Sequence, residues 1–240
     1  MRLAWLAIFL VVLGAIGALV VGTGSGSPAA TPRIAPPGPP AATPVPPAAT
    51  PDADPATPPQ PSDEPIVRRR SRAIGLPNAG SLRRGVELPA EGRDFFTWDP
   101  VTRTIPNRPW RRWATDRLIL GIVSTLRRYR AANPDAPRVG IGDLSRPRGG
   151  DFGARFGGLG HASHQNGLDV DLYYPRSDRR ERRPHRPGLV DIELAQALVD
   201  AFVAAGAEFV FVGPRLALSG PPGVVQPLAH HDDHLHVRIR

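Results

Sequence analysis

The sequence predicts an α+β domain centred on a small antiparallel β-sheet with flanking helices, preceded by a membrane-spanning segment and a disordered proline-rich linker. Three observations predict it. Two long stretches, around Leu118 and around Leu198, place apolar residues at helical spacing. Two short runs, around Asp171 and His236, alternate apolar and polar residues with the period of a half-buried strand. The prolines are segregated, 15 of the 30 lying between Pro28 and Pro65, which leaves the later sequence able to bury a core.

Arg2 is followed by an uninterrupted 20-residue apolar run, Leu3 to Gly22, long enough to cross a bilayer core as a helix. The positive flank on its N-terminal side places the N-terminus inside and the remainder outside. A cleaved signal peptide and an uncleaved signal-anchor both fit. The length of the run and the lack of a small-x-small site directly after it favour the anchor, assigned to residues 1–24. Residues 25–72 then read as an extended Pro/Ala/Thr spacer ending in the basic cluster Arg68 to Arg72.

The folded domain is expected over residues 73–240. Gly75 to Arg112 is rich in Gly and Pro and irregular, yet Trp98, Trp110 and Trp113 indicate that it packs. Thr115 to Ala132 is predicted helical, with Thr115 as cap, Leu118, Ile122, Leu126 and Tyr129 inward, and Asn133-Pro134 as the stop. Arg138 to Leu144 reads as a strand, followed by a Gly-rich loop from Arg146 to Gly160. Leu168 to Tyr174 reads as a second strand with Asp169 and Asp171 on one face. Asp191 caps a helix running to Ala205, with Ile192, Leu194, Ala195 and Leu198 inward and Gly206 as its stop. Glu208 to Val212 is a buried strand, and His234 to Arg240 a last strand with His234, His236, Arg238 and Arg240 on one face.

Composition removes several kinds of chemistry. Cysteine is absent, which excludes disulfides, a thiolate nucleophile or ligand, and a cysteine-borne lipid anchor. The net charge is +8 and every cation is an arginine, a pattern suited to anionic surroundings. The arginines are scattered rather than interleaved with stacking aromatics, so no nucleic-acid-binding module is expected.

What remains is histidine. All seven lie after residue 160, and six form two clusters, His161 with His164, and His230, His231, His234 with His236. A catalytic zinc takes three protein ligands and keeps one open position. His164 precedes the strand residue Asp171 by seven positions, with Gly167 permitting the turn between them, and His234 and His236 share a face of the last strand. Clusters on adjacent strands would give a His/Asp/His site with a spare histidine beside it to act as general base. A closed structural zinc would call for four ligands and commonly for cysteines. His185, in the Arg/Pro-rich stretch Arg182 to Pro187, reads as solvated.

The stretch GHASHQNGLDVDLYYP and the later HHDDHLHVR resemble the penicillin-insensitive murein endopeptidases, within the wider group of zinc D-Ala-D-Ala peptidases and Hedgehog-type domains. IGDLSRPRGG (Ile141 to Gly150) and AIGLPNAGSLRRGVELP (Ala73 to Pro89) resemble the segments that lead into that family's site. The resemblance implies Zn²⁺ held by His164, Asp171 and His236. It implies His234 as first choice for general base, His231 as a second active-site histidine and His161 as an auxiliary one at the rim. Asp169, Asp143 and Asp233 are candidates for orienting imidazoles. It further implies an extracytoplasmic enzyme that cuts peptidoglycan cross-links of the D-alanyl–meso-diaminopimelate type. By their position in the loop before the site alone, Arg146, Arg148 and Arg155 are candidates to meet substrate carboxylates. A D,D-carboxypeptidase or dipeptidase on the same scaffold, and a non-catalytic wall-binding module, are the rival readings.

Overall fold

The computed structural model describes residues 66–153 and 162–240. The apolar run, the spacer up to Pro65, and residues 154–161, with Arg155 and His161, lie outside the described residues. Among those described, no helix is long and apolar enough to cross a membrane.

Ten short strands and two α-helices are formed by the described residues. In chain order they are β1 (Arg72–Leu76), β2 (Ala79–Arg83), β3 (Val86–Glu87), β4 (Phe95–Thr97), β5 (Trp113–Ala114), α1 (Asp116–Ala132), β6 (Val139–Ile141), β7 (Asp169–Tyr173), α2 (Ile192–Ala204), β8 (Phe209–Val212), β9 (Val225–Pro227) and β10 (His234–Arg238). The α+β class is as expected. The small antiparallel sheet is not: six strands run in the order β4-β6-β7-β10-β8-β9, and the outer pairs β4–β6 and β8–β9 are parallel. The sheet is therefore mixed, antiparallel only through β6, β7, β10 and β8. The reason lies in β4 and β9. Each is three residues long and pairs in parallel with its neighbour, so neither is joined to it by a hairpin turn that the sequence could announce. Two separate hairpin-like pairs, β1–β2 and β3–β5, organise the segment expected to be irregular.

The pleat divides the sheet into two functional faces. Val139 and Ile141 of β6, Val170 and Leu172 of β7, Val210 and Val212 of β8, and Leu235 and Val237 of β10 all belong to the buried core. Against them pack Leu118, Ile119, Ile122, Leu126 and Tyr129 of α1 and Ala195, Leu198, Val199 and Phe202 of α2. Each fully buried aliphatic side chain contributes roughly 1.5–3 kcal/mol, so this layer fixes where the opposite face sits. Both helix starts follow the sequence. Thr115 Oγ1 accepts from Leu118 N–H at 3.2 Å, and Asp191 Oδ1 from Leu194 N–H at 3.1 Å. Ile192, expected inward, is exposed, because the buried stripe of α2 starts one turn later and runs to Phe202.

With the core residues facing the helices, the alternate residues must face away. Those are Asp169, Asp171 and Tyr173 of β7, and His234, His236 and Arg238 of β10. The antiparallel register sets Tyr173 opposite His234, Asp171 opposite His236 and Asp169 opposite Arg238.

Candidate metal centre

Three potential ligands converge on the centre of this second face. One ligand atom each from His164, Asp171 and His236 lies within 4.8 Å of the others, and all three residues are buried. Asp171 Oδ1 is the hub, 3.3 Å from His164 Nε2 and 3.3 Å from His236 Nδ1. The two imidazoles meet edge to face, with ring centroids 4.8 Å apart.

Each ring is held from behind. His164 Nδ1 donates to the Leu144 carbonyl at 2.8 Å, which aims Nε2 at Asp171. His236 Nε2 donates to Asp169 Oδ1 at 2.8 Å, which aims Nδ1 at the same point. A carbonyl and a carboxylate can only accept, so both tautomers are set by their surroundings. Arg238 Nε donates to the same Asp169 oxygen at 2.9 Å and keeps that carboxylate in place. Two imidazole nitrogens and one carboxylate oxygen, backed in this way, form a donor set suited to zinc.

His164 reaches the centre from a loop, not a strand. Its φ is +71°, a left-handed conformation that is uncommon away from Gly and Asn, and Gly167 follows at +75°. A Cβ on Gly167 would lie 2.9 Å from Leu82 Cδ1, so the turn passes tightly under β2. Gln165 N–H donates to the Pro77 carbonyl at 2.9 Å, and Asn166 Nδ2 to the Gly75 carbonyl at 3.3 Å. The β1–β2 hairpin thus pins the loop that carries a ligand.

The electrostatics favour an ionised Asp171 beside a protonated His236. Burial pushes the Asp171 carboxyl up, but charge on His164 and His234 and hydrogen bonds from His164 and His236 outweigh it and hold the pKa well below the ordinary value. Burial pulls the His236 imidazole down, yet its bonds to Asp169 and Asp171 raise it to about 9. A cation that takes His236 Nδ1 at neutral pH therefore has to displace a proton.

Two more histidines stand beside the triad. His234 Nδ1 donates to Asp233 Oδ1 at 2.8 Å, and its Nε2 lies 3.9 Å from Asp171 Oδ1. His231 Nδ1 donates to the Ala229 carbonyl at 2.8 Å, and its ring lies 4.7 Å from that of His234. Burial, and then the charge of His234, depress His231 below its ordinary value and favour its neutral form.

The remaining expected residues separate cleanly. Asp169 orients His236. Asp233 orients His234, a neighbour of the triad. The Asp143 carboxylate faces Arg111, whose Nε donates to it at 2.6 Å, and Asn107, whose Nδ2 donates at 3.2 Å; the acceptor that holds His164 is the carbonyl of the next residue, Leu144. The Asp143 main-chain oxygen does serve the site, accepting Asp171 N–H at 3.0 Å. Arg146 donates to the Asp151 carbonyl within its own loop, Arg148 and His185 are exposed, and His161 and Arg155 are not among the described residues.

Three contributors escaped the sequence reading. Phe211 presents its ring edge to His236, with centroids 5.6 Å apart, and Phe152 does so to His164 at 6.4 Å. The alternation of Phe209 and Phe211 along β8 was a signal for this, since it sets both on the face opposite Val210 and Val212. Gly213 is the third. A Cβ there would fall 2.6 Å from Asp232 Cα and 2.7 Å from the His231 carbonyl oxygen. Gly213→Ala should push the His231–Asp233 segment outward and lower turnover about 100-fold, the scale of an ångström misplacement, with metal content unchanged. Steady-state kinetics beside metal analysis would check this, and wild-type turnover would overturn it.

Comparison with known proteins agrees with this geometry. The family model described as penicillin-insensitive murein endopeptidase matches residues 73–200, a range that includes His164 and Asp171. The chain is 27% identical over 195 residues to the penicillin-insensitive murein endopeptidase of Yersinia enterocolitica, covering 70% of this chain and 66% of that one. It is 32% identical over 126 residues to those of Citrobacter koseri and Escherichia coli O157:H7, covering 42% of this chain and 44% of each. The matches span between 43% and 66% of the relatives' own lengths. With more than half of the chain matched by the family model, the protein belongs to the penicillin-insensitive murein endopeptidase family.

Proposed function

We propose that this chain is a zinc-dependent peptidoglycan endopeptidase that hydrolyses the D-alanyl–meso-diaminopimelate cross-link. One observation carries the reading: His164, Asp171 and His236 converge, and the other nitrogen of each imidazole is engaged by an acceptor. The donors are two nitrogens and one oxygen with no fourth protein ligand among the described residues, the pattern of a catalytic rather than a structural zinc. When bound there, zinc would supply Lewis acidity, lowering the pKa of a ligated water towards about 7 and polarising a substrate carbonyl.

The protein groups then divide the proton work. His234 is the general base: Asp233 holds its Nδ1–H, so Nε2 faces the centre and accepts the proton of the attacking water. Asp233 also stabilises the imidazolium that results. His231 lies next to His234, and with its Nδ1–H held by the Ala229 carbonyl and its neutral form favoured, its Nε2 is an acceptor suited to orienting the attacking water. The proton on His234 passes to the leaving amine. Phe211 and Phe152 exclude water from the outer edges of the two ligand rings. Action on peptidoglycan requires an extracytoplasmic position, in keeping with the apolar run at Leu3 to Gly22 and the spacer after it.

The test is incubation of the full-length chain with purified cross-linked muropeptide dimers, with and without a zinc chelator, read by mass spectrometry. The expected result is chelator-sensitive conversion of dimers to monomers. Intact dimers with trimmed uncross-linked pentapeptides would replace the endopeptidase reading by a D,D-carboxypeptidase. Survival of both substrates in the presence of bound zinc would reject hydrolysis altogether.

A further inference from the structure

Beside the site runs a loop that the chemistry above leaves unused. Between Arg176 and Arg186 the chain places six arginines against two acids. The two acids are already engaged by arginines. Asp178 accepts from Arg176 Nε at 2.7 Å, and Glu181 accepts both from Arg138 Nε at 2.8 Å and from Arg138 Nη2 at 2.6 Å. Arg138 is itself the residue before β6 and also reaches Glu91 at 2.9 Å, so the loop is fastened to the sheet edge. Pro184 is buried and fixes the middle of the loop.

With each acid paired to an arginine, positive charge remains in excess at the surface. The Arg180 side chain is 66% exposed and that of Arg179 51% exposed, each only loosely near an acid, at 3.9 Å and 3.6 Å. Arg182 and Arg186 are exposed, and neither forms an ion pair among the described residues. The fastening continues into the site. Arg183 Nε donates to Asp233 Oδ2 at 2.6 Å, while the other oxygen of that carboxylate holds His234. The basic surface is therefore joined to the rim of the site through one carboxylate.

We propose that this loop is a substrate-docking surface, on which Arg179, Arg180, Arg182 and Arg186 take carboxylates carried by the stem peptides of peptidoglycan. The inference rests on the peptidoglycan reading and deepens it. Two arguments select this partner. The loop borders the site, because Arg183 ties it to the carboxylate that holds His234. The cations are all guanidinium groups, whose planar forks match carboxylate geometry in a way ammonium does not. The bridge to Asp233 lets a strand docked on the loop meet a general base whose orientation the same loop helps to fix.

The test uses the full-length chain purified in detergent, with a chelator present so that nothing is cut. Its retention is measured on insoluble peptidoglycan stripped of phosphate polymers, in two forms: carboxylates intact, or converted to neutral amides by carbodiimide coupling. Binding to the intact form should weaken as salt rises and should fall about tenfold on amidation. The combined substitution Arg180→Glu, Arg182→Glu and Arg186→Glu should lose the same affinity on intact material, and the matching Gln protein should lie between. All three positions are exposed, and thermal melting of the variants checks that the fold is kept. Unchanged retention of the Glu variant, or indifference to amidation, would overturn the proposal. Cleavage of the intact material by the zinc-loaded wild type is scored separately. Its absence alongside carboxylate-dependent binding would sink the reaction and leave the surface standing.

Discussion

His236→Ala should purify with almost no bound metal and no measurable hydrolysis, while keeping its fold. His236 is the candidate ligand with the most to lose: it lies at the centre of the sheet, opposite Asp171 in register, and its second nitrogen is anchored by Asp169. The weaker version of the experiment is more informative. Asp169→Asn keeps the shape but exchanges a charged acceptor for an amide, and should lower metal affinity by about 10- to 100-fold. It also leaves Arg238 with a weakened partner. The wild type has a signature of its own. With the His236 pKa raised to about 9, zinc uptake at pH 7 should release about one proton from this ring, and apparent affinity should climb roughly tenfold per pH unit up to about pH 9. The sign follows from the raised pKa: below it the ring carries a proton that competes with the metal, and above it that competition is gone. Titration calorimetry in buffers of different ionisation enthalpy reads the proton directly. Uptake without proton release would show that the ring is already neutral at pH 7, and a full metal complement in His236→Ala would remove His236 from the candidate ligand set.

The convergence of the candidate site was more legible in the sequence than the fold around it, for a physical reason. Ligand chemistry needs particular side chains, and strand alternation places them: Asp169 with Asp171, and His234 with His236, could be put on shared faces by counting. Neighbouring strands then had only to meet, and β7 and β10 do. The helices were legible because Thr115 and Asp191 announce their starts and the apolar stripes their inner faces. The outer strands were not. β4 and β9 are held by pairing with β6 and β8, contacts that local sequence does not encode. The same holds for Asp143. Its position in the chain suggested an imidazole partner, but the side chain that claims it, Arg111, is 32 residues away. Only the fold brings them together.

That pairing sets the second large effect, since Arg111→Ala should cost about 3–5 kcal/mol of stability. Both side chains are fully buried, the Arg111 guanidinium gripping Asp143 through Nε at 2.6 Å and through Nη2. The faces of Trp110 and Phe152 cover the guanidinium at 5.0 and 5.3 Å. Burial opposes the Arg111 charge, and the Asp143 carboxylate more than offsets it, so the arginine pKa is raised. Removing the cation leaves a carboxylate enclosed without its counter-charge. On a domain whose total stability is of the order of 5–15 kcal/mol, that loss should lower the melting temperature by roughly 10 °C. The damage should also reach the metal. Asp143 and Leu144 are consecutive: the carbonyl of the first accepts Asp171 N–H, the carbonyl of the second accepts His164 Nδ1–H, and Leu144 N–H bonds back to the Arg111 carbonyl at 3.0 Å. A shift in this segment moves two candidate ligands at once. The double substitution Arg111→Ala with Asp143→Ala separates the causes. It removes the stranded charge, so it should be less destabilising than the two single changes added together. Strict additivity, or an Arg111→Ala protein that melts with the wild type, would show that the ion pair does not hold up the floor of the site.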